Sequence, residues 1–326
     1  MLESFPALLP ATPDPMSRDE AAAASRALRH AVARYQSADD LPELLPFRHA
    51  GPALYRYSVT TPVGGTLWGL VGLAEVAGLL PHEETIFEQE DREAVDLEIR
   101  PLLAITRSSL PQLPEIGPAA EVTFGSQTHR AVPVAPAVLD LGTVVLADGH
   151  HRRRSALRHQ GQHARAMTLV VGDSGRGLRA DAFQRRLVAV GALPESVAES
   201  FEIAEAFRPT PRSGSLVWVE PGRPPVLLRP RPEALAKMPP TLRPIGAAVA
   251  AHLLYPHIGI TQDRIEHFAT GVAARHALGV GDAALLLPRV SIPAVLAAAA
   301  AGTLLPPKGS RFQPKPVRGL VVRQRS

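Results

Sequence analysis

The stretch from Leu141 to Val171 leaves this chain the fewest choices. Leu141 to Ala147 is rich in β-branched residues and reads as a buried strand. It runs into Asp148-Gly149-His150-His151-Arg152. A helix is expected next, from about Arg153 to Gln160 and closed by Gly161, and then a strand from Ala166 to Val171. Strand, tight glycine turn and helix in that order gather backbone N–H groups at one point, where an anion can bind. Gly149 allows a left-handed turn and a close approach to a ligand. Arg152 can offer two donors to a phosphate. Asp148 could bind a metal, accept a proton or cap the turn. His150 and His151 are neighbours, so on extended backbone they face opposite ways and do not make two ligands for one metal. One would serve the site while the other packs or orients. The plainer alternative is a solvated basic turn, with Asp148 capping a helix that begins at Arg152-Arg153-Arg154.

A second cluster lies near the end of the chain, in Leu305-Pro306-Pro307-Lys308-Gly309-Ser310-Arg311-Phe312-Gln313-Pro314-Lys315. The chain has 35 basic residues and almost all are arginine, yet two of its three lysines fall here. Lysine is a compact point charge on a flexible stem, suited to reaching one phosphate or carboxylate. The prolines stiffen the segment, and Phe312 is expected to anchor it. A basic, proline-flanked tail is the plainer reading. The third cluster is His82-Glu83-Glu84-Thr85, with Asp91-Arg92 downstream. Here a carboxylate could act as general base or hold Mg²⁺ beside a phosphate chain. It could equally be an acidic helix start. Position 86 is Ile86, so no H-E-x-x-H zinc motif forms, and phosphate-loop, dinucleotide and serine-hydrolase glycine motifs are also missing.

Around these clusters the chain reads as α+β. Helices are expected at Ala21 to Gln36, behind a Ser17-Arg18-Asp19-Glu20 capping box, and at Glu88 to Arg100, with a polar connection over 37–52. Tyr55 to Val59 and Leu67 to Leu73 form a hairpin in which Gly69 and Gly72 thin one face, and Leu102 to Thr106 is a buried strand. Helices are expected at Asp181 to Val190, Ser196 to Phe207, 242–254, 261–276 and 291–301, with a hairpin of Leu216 to Val219 and Val226 to Leu228. The organisation read from this is an N-terminal helical segment (1–50), a core with the phosphate-binding turn (51–180), a mixed, largely helical region (181–302) and a lysine segment returning to the site (303–326).

With no cysteine, thiol catalysis, disulfides and cysteine-ligated metals are excluded. A net charge of +4 is modest for 326 residues and does not argue for nucleic acid. No apolar run is long enough to span a bilayer and the N-terminus lacks a signal pattern, so a soluble, cytoplasmic protein is expected.

The three clusters occur in an order that resembles the bacterial and archaeal family called domain of unknown function 1015. The matching islands are Tyr55-Arg56-Tyr57, Gly69-Leu70-Val71-Gly72, His82-Glu83-Glu84-Thr85 with Asp91-Arg92, Ala147 to Arg152, and Leu305 to Lys315 with Gly319-Leu320. That family is similar to the ParB/sulfiredoxin-like fold and to archaeal kinases of free serine. The resemblance implies a ParB/sulfiredoxin-like mixed core with a partly helical C-terminal half. It implies transfer of phosphate between ATP or ADP and a small hydroxyl compound, serine or phosphoserine, with Mg²⁺. Glu83, Asp148, His151 and Lys308 would be catalytic. His82, Thr85, Arg92, Gly149, His150, Arg152 and Lys315 would hold phosphate or nucleotide. The chain departs from the family in lacking a P-P-Y-D-type N-terminal segment and in reading Lys308-Gly309-Ser310 where K-S-T is usual. Three alternatives stand beside this reading: a phosphoserine phosphatase, a non-catalytic nucleotide binder, and a ParB-like DNA-binding protein using 242–276 as a helix-turn-helix.

Overall fold

The chain's long apolar, β-rich stretches pair into one large sheet. A computed structural model describes residues 1–10, 47–62, 65–85, 99–173, 177–206, 208, 210–211 and 214–323. The helix expected at Ala21 to Gln36, and the one expected at Glu88 to Arg100 apart from its last two residues, lie outside the described residues, and with them Asp91 and Arg92. The chain divides into two units: Met1–Pro81, Thr85–Leu178 and Pro314–Ser326 form the first, and His82–Glu84 and Arg179–Gln313 the second.

In the first unit the strands are β1 (Leu2–Glu3), β2 (Phe5–Pro10), β3 (Phe47–Thr61), β4 (Gly65–Glu75), β5 (Leu79–Leu80), β6 (Leu102–Thr106), β7 (Ala120–Phe124), β8 (Gln127–Val134), β9 (Val138–Leu139), β10 (Val144–Asp148) and β11 (Arg165–Gly172). With the C-terminal strand Val322–Arg323 they make a twelve-stranded sheet among the described residues. Its main path runs from that C-terminal strand through β2, β3, β4, β11, β6 and β10 to β5. The long β3 serves three partners: its first half pairs with β2, and its second half lies between β4 and β8. Helix α1 (His150–Gln160) follows β10 and buries Ala156 against a core that includes Leu54, Leu70, Leu102, Leu146 and Val170.

The N-terminal segment, expected to be helical, begins instead as strands. Phe5, Ala7, Leu8 and Leu9 are buried, and Pro6 is tolerated because the ladder between β2 and β3 is interrupted between Phe5 and Ala7. Part of the expected 37–52 connection is likewise strand, since β3 starts at Phe47.

In the second unit, strands β12 (Arg179–Asp181), β13 (Gln184–Leu187), β14 (Phe201–Glu205), β15 (Leu216–Val219), β16 (Val226–Pro230), β17 (Ile265–Phe268), β18 (Ala283–Leu286) and β19 (Arg311–Gln313) alternate with short helices. Six of them form an antiparallel sheet in the order β14-β16-β15-β18-β13-β17, and β12 pairs with β19. The β15–β16 hairpin and the helix Ile292–Ala300, capped by Ser291, fall where expected. Three expected helices do not form as read. Gln184–Leu187 and Phe201–Glu205 are strands, and 261–276 keeps only Gly271–His276 as α-helix because Ile265–Phe268 pairs with β13. Sheet pairing overrides weak local helix preference at these sites. That intervening strand also interrupts the helix-turn-helix of the DNA-binding alternative over 242–276. No helix among the described residues is long and apolar enough to cross a membrane.

Gly72 shows how tightly the first sheet is packed. A Cβ there would meet Leu2 Cγ and Leu54 Cδ2 at 2.7 Å and the Glu3 carbonyl oxygen at 2.9 Å, whereas Gly51 on β3 has nothing within 4 Å. Gly72→Ala is expected to lose about 1–3 kcal/mol in urea unfolding, as overpacked sites do. Gly51→Ala should leave stability unchanged or slightly raised, and equal losses at both would contradict the packing argument.

Candidate functional site

Asp148 ends β10 at a bulge: Leu146 pairs with Ala104 but Asp148 with Leu103, so the register shifts just before the turn. Gly149 follows with φ of 99°, and a Cβ there would meet Leu102 Cδ2 at 2.5 Å and Arg152 Nη2 at 2.9 Å. Only glycine suits the position. Helix α1 then opens with His150, His151 and Arg152, with no acidic residue in its first turn. Basic side chains at the positive end of a helix are the reverse of the usual preference, which concentrates positive potential at this turn.

Asp148 answers that charge. Lys315 Nζ donates to its Oδ1, Arg152 Nη2 to its Oδ2 at 3.3 Å, and Arg100 Nη2 lies 3.6 Å from Oδ2. Burial alone would raise the Asp148 pKa; the charges of Lys315, Arg152 and Arg100 overcome it and hold the carboxyl down at about 2. Asp148 is therefore ionised and a weak base. Arg152, expected to offer two donors to a phosphate, is only 1% exposed. Its Nη1 donates to the carbonyls of Arg100 (2.7 Å) and Pro101 (3.3 Å), which makes it an internal strut between α1 and the segment entering β6. His150 and His151 are both buried, on the first turn of a helix rather than on extended backbone. Thr85 accepts a hydrogen bond from Arg154 Nη1 at 2.7 Å. The segment carrying Lys315 is pinned on either side: Val317 N donates to Tyr57 Oη at 2.9 Å and Gly319 N to the Ile99 carbonyl at 2.7 Å.

The second unit holds the other cluster. Glu83 bridges in parallel to Leu305, with Leu305 N donating to the His82 carbonyl (2.8 Å) and Glu84 N to the Leu305 carbonyl (2.9 Å). The lysine loop then folds over the carboxylate. Lys308 N donates to Oε1 at 2.8 Å, Ser310 N to Oε2 at 3.1 Å and Ser310 Oγ to Oε2 at 3.2 Å. Backbone N–H groups two residues apart form such a nest for an anion when the chain alternates its handedness, and Lys308 has a φ of 55°. Burial drives the Glu83 pKa up to about 7, against the lowering effect of these hydrogen bonds and of the Lys308 charge. With Glu83 ionised, Ser310 gives its single proton to the carboxylate and accepts from His82 Nε2, 2.7 Å away. His82 is fully buried and packs edge-on against Phe312, their ring centroids 5.6 Å apart.

Two sets of expected residues are thus drawn together: Asp148, Gly149, Arg152 and Lys315 in the first unit, and His82, Glu83 and Lys308 in the second. Arg92 lies outside the described residues. Arg100 and Ser310 were not anticipated, because each acts through a contact that only folding creates. Among the described residues no three His, Asp or Glu side chains cluster to hold a metal, and both carboxylates have protein donors.

No protein-family model matches the chain, and no curated protein matches it in sequence. Solved structures similar to it include a free serine kinase mutant in complex with ADP, 15% identical, covering 78% of this chain and 92% of that one with a TM-score of 0.47. A conserved hypothetical protein from Pyrococcus furiosus is 14% identical, covering 76% and 94%, with a TM-score of 0.46. SbnI with a C-terminal truncation, from Staphylococcus aureus, is 15% identical, covering 78% and 87%, with a TM-score of 0.49. Likenesses at this identity assign no residue and no activity.

Two stability measurements separate the roles of the carboxylates. Asp148→Asn removes the buried carboxylate charge that Lys315, Arg152 and Arg100 share and is expected to cost about 3–5 kcal/mol. Lys315→Met, with Asp148 still facing Arg152 and Arg100, should cost less than Asp148→Asn. Glu83 acts through pH. From pH 4.5 to 7 the unfolded chain releases the Glu83 proton while the folded chain keeps it, so stability falls as pH rises across that window. Glu83→Gln should remove on the order of 3 kcal/mol of that fall, read as the difference between urea midpoints of the two proteins over pH 4.5–8. Parallel pH curves would refute a raised Glu83.

Proposed function

We propose that this chain transfers phosphate between a nucleotide and a small hydroxyl compound, serine first among them, as a ParB/sulfiredoxin-like member of the domain of unknown function 1015 family that its motifs resemble. The observation that carries this reading is Glu83: a buried carboxyl with a pKa near 7, held in place by Lys308 N and Ser310. A general base works best when its pKa lies near the working pH. Among the described residues three donors reach the carboxylate, two of them on Oε2, which leaves a lone pair of Oε1 to take a proton from a substrate hydroxyl.

Each residue then has a task. Glu83 accepts the hydroxyl proton as the substrate oxygen bonds to the γ-phosphorus and the bond to the nucleotide's β-phosphate oxygen breaks, releasing the diphosphate. Lys308 offsets the charge of the transferred group. His82 and Ser310 are positioning residues that orient Glu83. In the first unit the basic opening of α1 after Gly149, with Lys315 and Arg100, is a field that suits phosphate groups. Asp148 organises those cations and does not act as a base. Such chemistry needs mainly positioning and charge neutralisation. Mg²⁺ would accompany the nucleotide phosphates as their counter-ion.

Phosphorus NMR with ATP plus serine, ADP plus serine, and phosphoserine with and without ADP tests the reading and its direction. Transfer is expected, with a rate that rises with pH around an apparent pKa near 7 because only ionised Glu83 accepts the proton. Glu83→Gln should lower the rate by roughly 10²–10⁴-fold, the usual contribution of a positioned base. Full activity in that variant, or neither turnover nor nucleotide line broadening in the wild-type protein, would sink the proposal.

A further inference from the structure

Strand β13 alternates strictly: Arg185 and Leu187 point inward, and Gln184 and Arg186 do not. The two adjacent arginines meet opposite fates. Arg186 has two carboxylates, Asp282 at 2.7 Å and Glu266 at 3.1 Å. Arg185 is 2% exposed and has no ion pair among the described residues; Nη1 reaches the Phe183 carbonyl at 3.3 Å, and Nε has no hydrogen-bond partner. An isolated buried cation is costly unless something compensates it.

Two further buried polar atoms without partners come from the same surroundings. His267 is the direct cross-strand neighbour of Arg185 in the β13–β17 register, and its Nε2 is buried and unpaired while its ring packs edge-on to Phe183. Tyr255 follows the π-helical turn Ala250–Leu254, an irregularity frequent at functional sites. Its hydroxyl sits against Arg185, whose charge and side-chain hydrogen bonding both act on it, though no partner there meets full hydrogen-bond geometry. Burial, followed by the charges of Arg185 and Lys308, pushes the His267 pKa down to about 3, so the ring is neutral and surrounded by positive charge. Native interiors rarely leave such groups unmet, and three in one neighbourhood call for a shared partner.

We propose that Arg185, Tyr255 and His267, with Lys308 beside them, form a site for a small oxyanion, a carboxylate or a phosphate group. A planar guanidinium matches either oxyanion, and the phenol and imidazole add neutral donors to it. The site requires no step of phosphotransfer, and its test reads binding without nucleotide, so either reading can fail without the other.

The probes are glycerate against glycerol, which differ by the carboxylate, and inorganic phosphate, each titrated calorimetrically into the full chain. Tyr255→Phe deletes one oxygen and keeps the shape and volume of the ring, so the variant should fold. Arg185→Gln is the stronger variant where it folds. If the site takes carboxylates, glycerate binds, glycerol does not, and Tyr255→Phe weakens glycerate by tenfold or more. If it takes phosphate, inorganic phosphate shows that same loss. Should neither anion bind, or should both bind Tyr255→Phe as tightly as wild type, the site is overturned.

Discussion

The first unit depends on charge compensation at a single carboxylate. Asp148 faces cations from three separate parts of the chain: Arg152 on α1, Arg100 before β6 and Lys315 near the C-terminus. Arg152 in turn holds the carbonyls at residues 100 and 101, so the strand end, the helix start and the C-terminal stretch share one electrostatic centre. Remove the carboxylate and Arg152, Arg100 and Lys315 lose the charge that draws them together. Remove Gly149 and the helix cannot begin where Arg152 can reach back. The β10 bulge sets where that centre sits, since it shifts Asp148 relative to β6 immediately before the turn.

Glu83 shows the opposite treatment of the same functional group. Asp148 is surrounded by formal charge and driven to about 2; Glu83 receives mostly neutral donors in a dry setting and rises to about 7. Carboxylates whose environments push their pKa values apart are suited to different tasks, one to fixed charge and the other to carrying a proton. Exchanging the roles would require moving cations, since the hydrogen bonds alone do not outweigh burial at Glu83.

The strand, turn and helix around Asp148 were legible because several local signals agreed: β-branched residues, a glycine needed at positive φ, and Gly161 closing α1 through its N–H to Leu157. The β3–β4 and β15–β16 hairpins were legible for the same reason. Phe5–Pro10 was not, because its prolines argue against a strand until the break in the β2–β3 register accommodates Pro6. Over Asp181 to Val190, Phe183, Leu187 and Val190 are spaced for a helix, yet β17 and β18 claim the middle of the segment. That misreading hid Arg185, since an inward-facing arginine is conspicuous only once the alternation of a strand is recognised. The internal contacts of Arg152 were hidden for a different reason. Its sequence position allows it to point toward a ligand or into the protein, and only the carbonyls of a distant turn decide between them.

The loop from Pro306 to Ser310 shows why lysine stands where the rest of the chain would use arginine. To bring the N–H groups of residues 308 and 310 onto one carboxylate, residue 308 must take a left-handed backbone, which costs a side-chain-bearing residue roughly 1–2 kcal/mol. Glycine would remove that strain, and at residue 309 it is required, because a Cβ there would meet the Pro306 carbonyl oxygen at 2.8 Å. A side chain kept at residue 308 despite the cost has a use beyond the turn. The ammonium lowers the pKa of buried Glu83, and its charge reaches His267 on the neighbouring sheet. A compact charge on a flexible stem can bias a proton-carrying carboxylate without competing for it through fixed, forked donors, which a guanidinium at that distance would do.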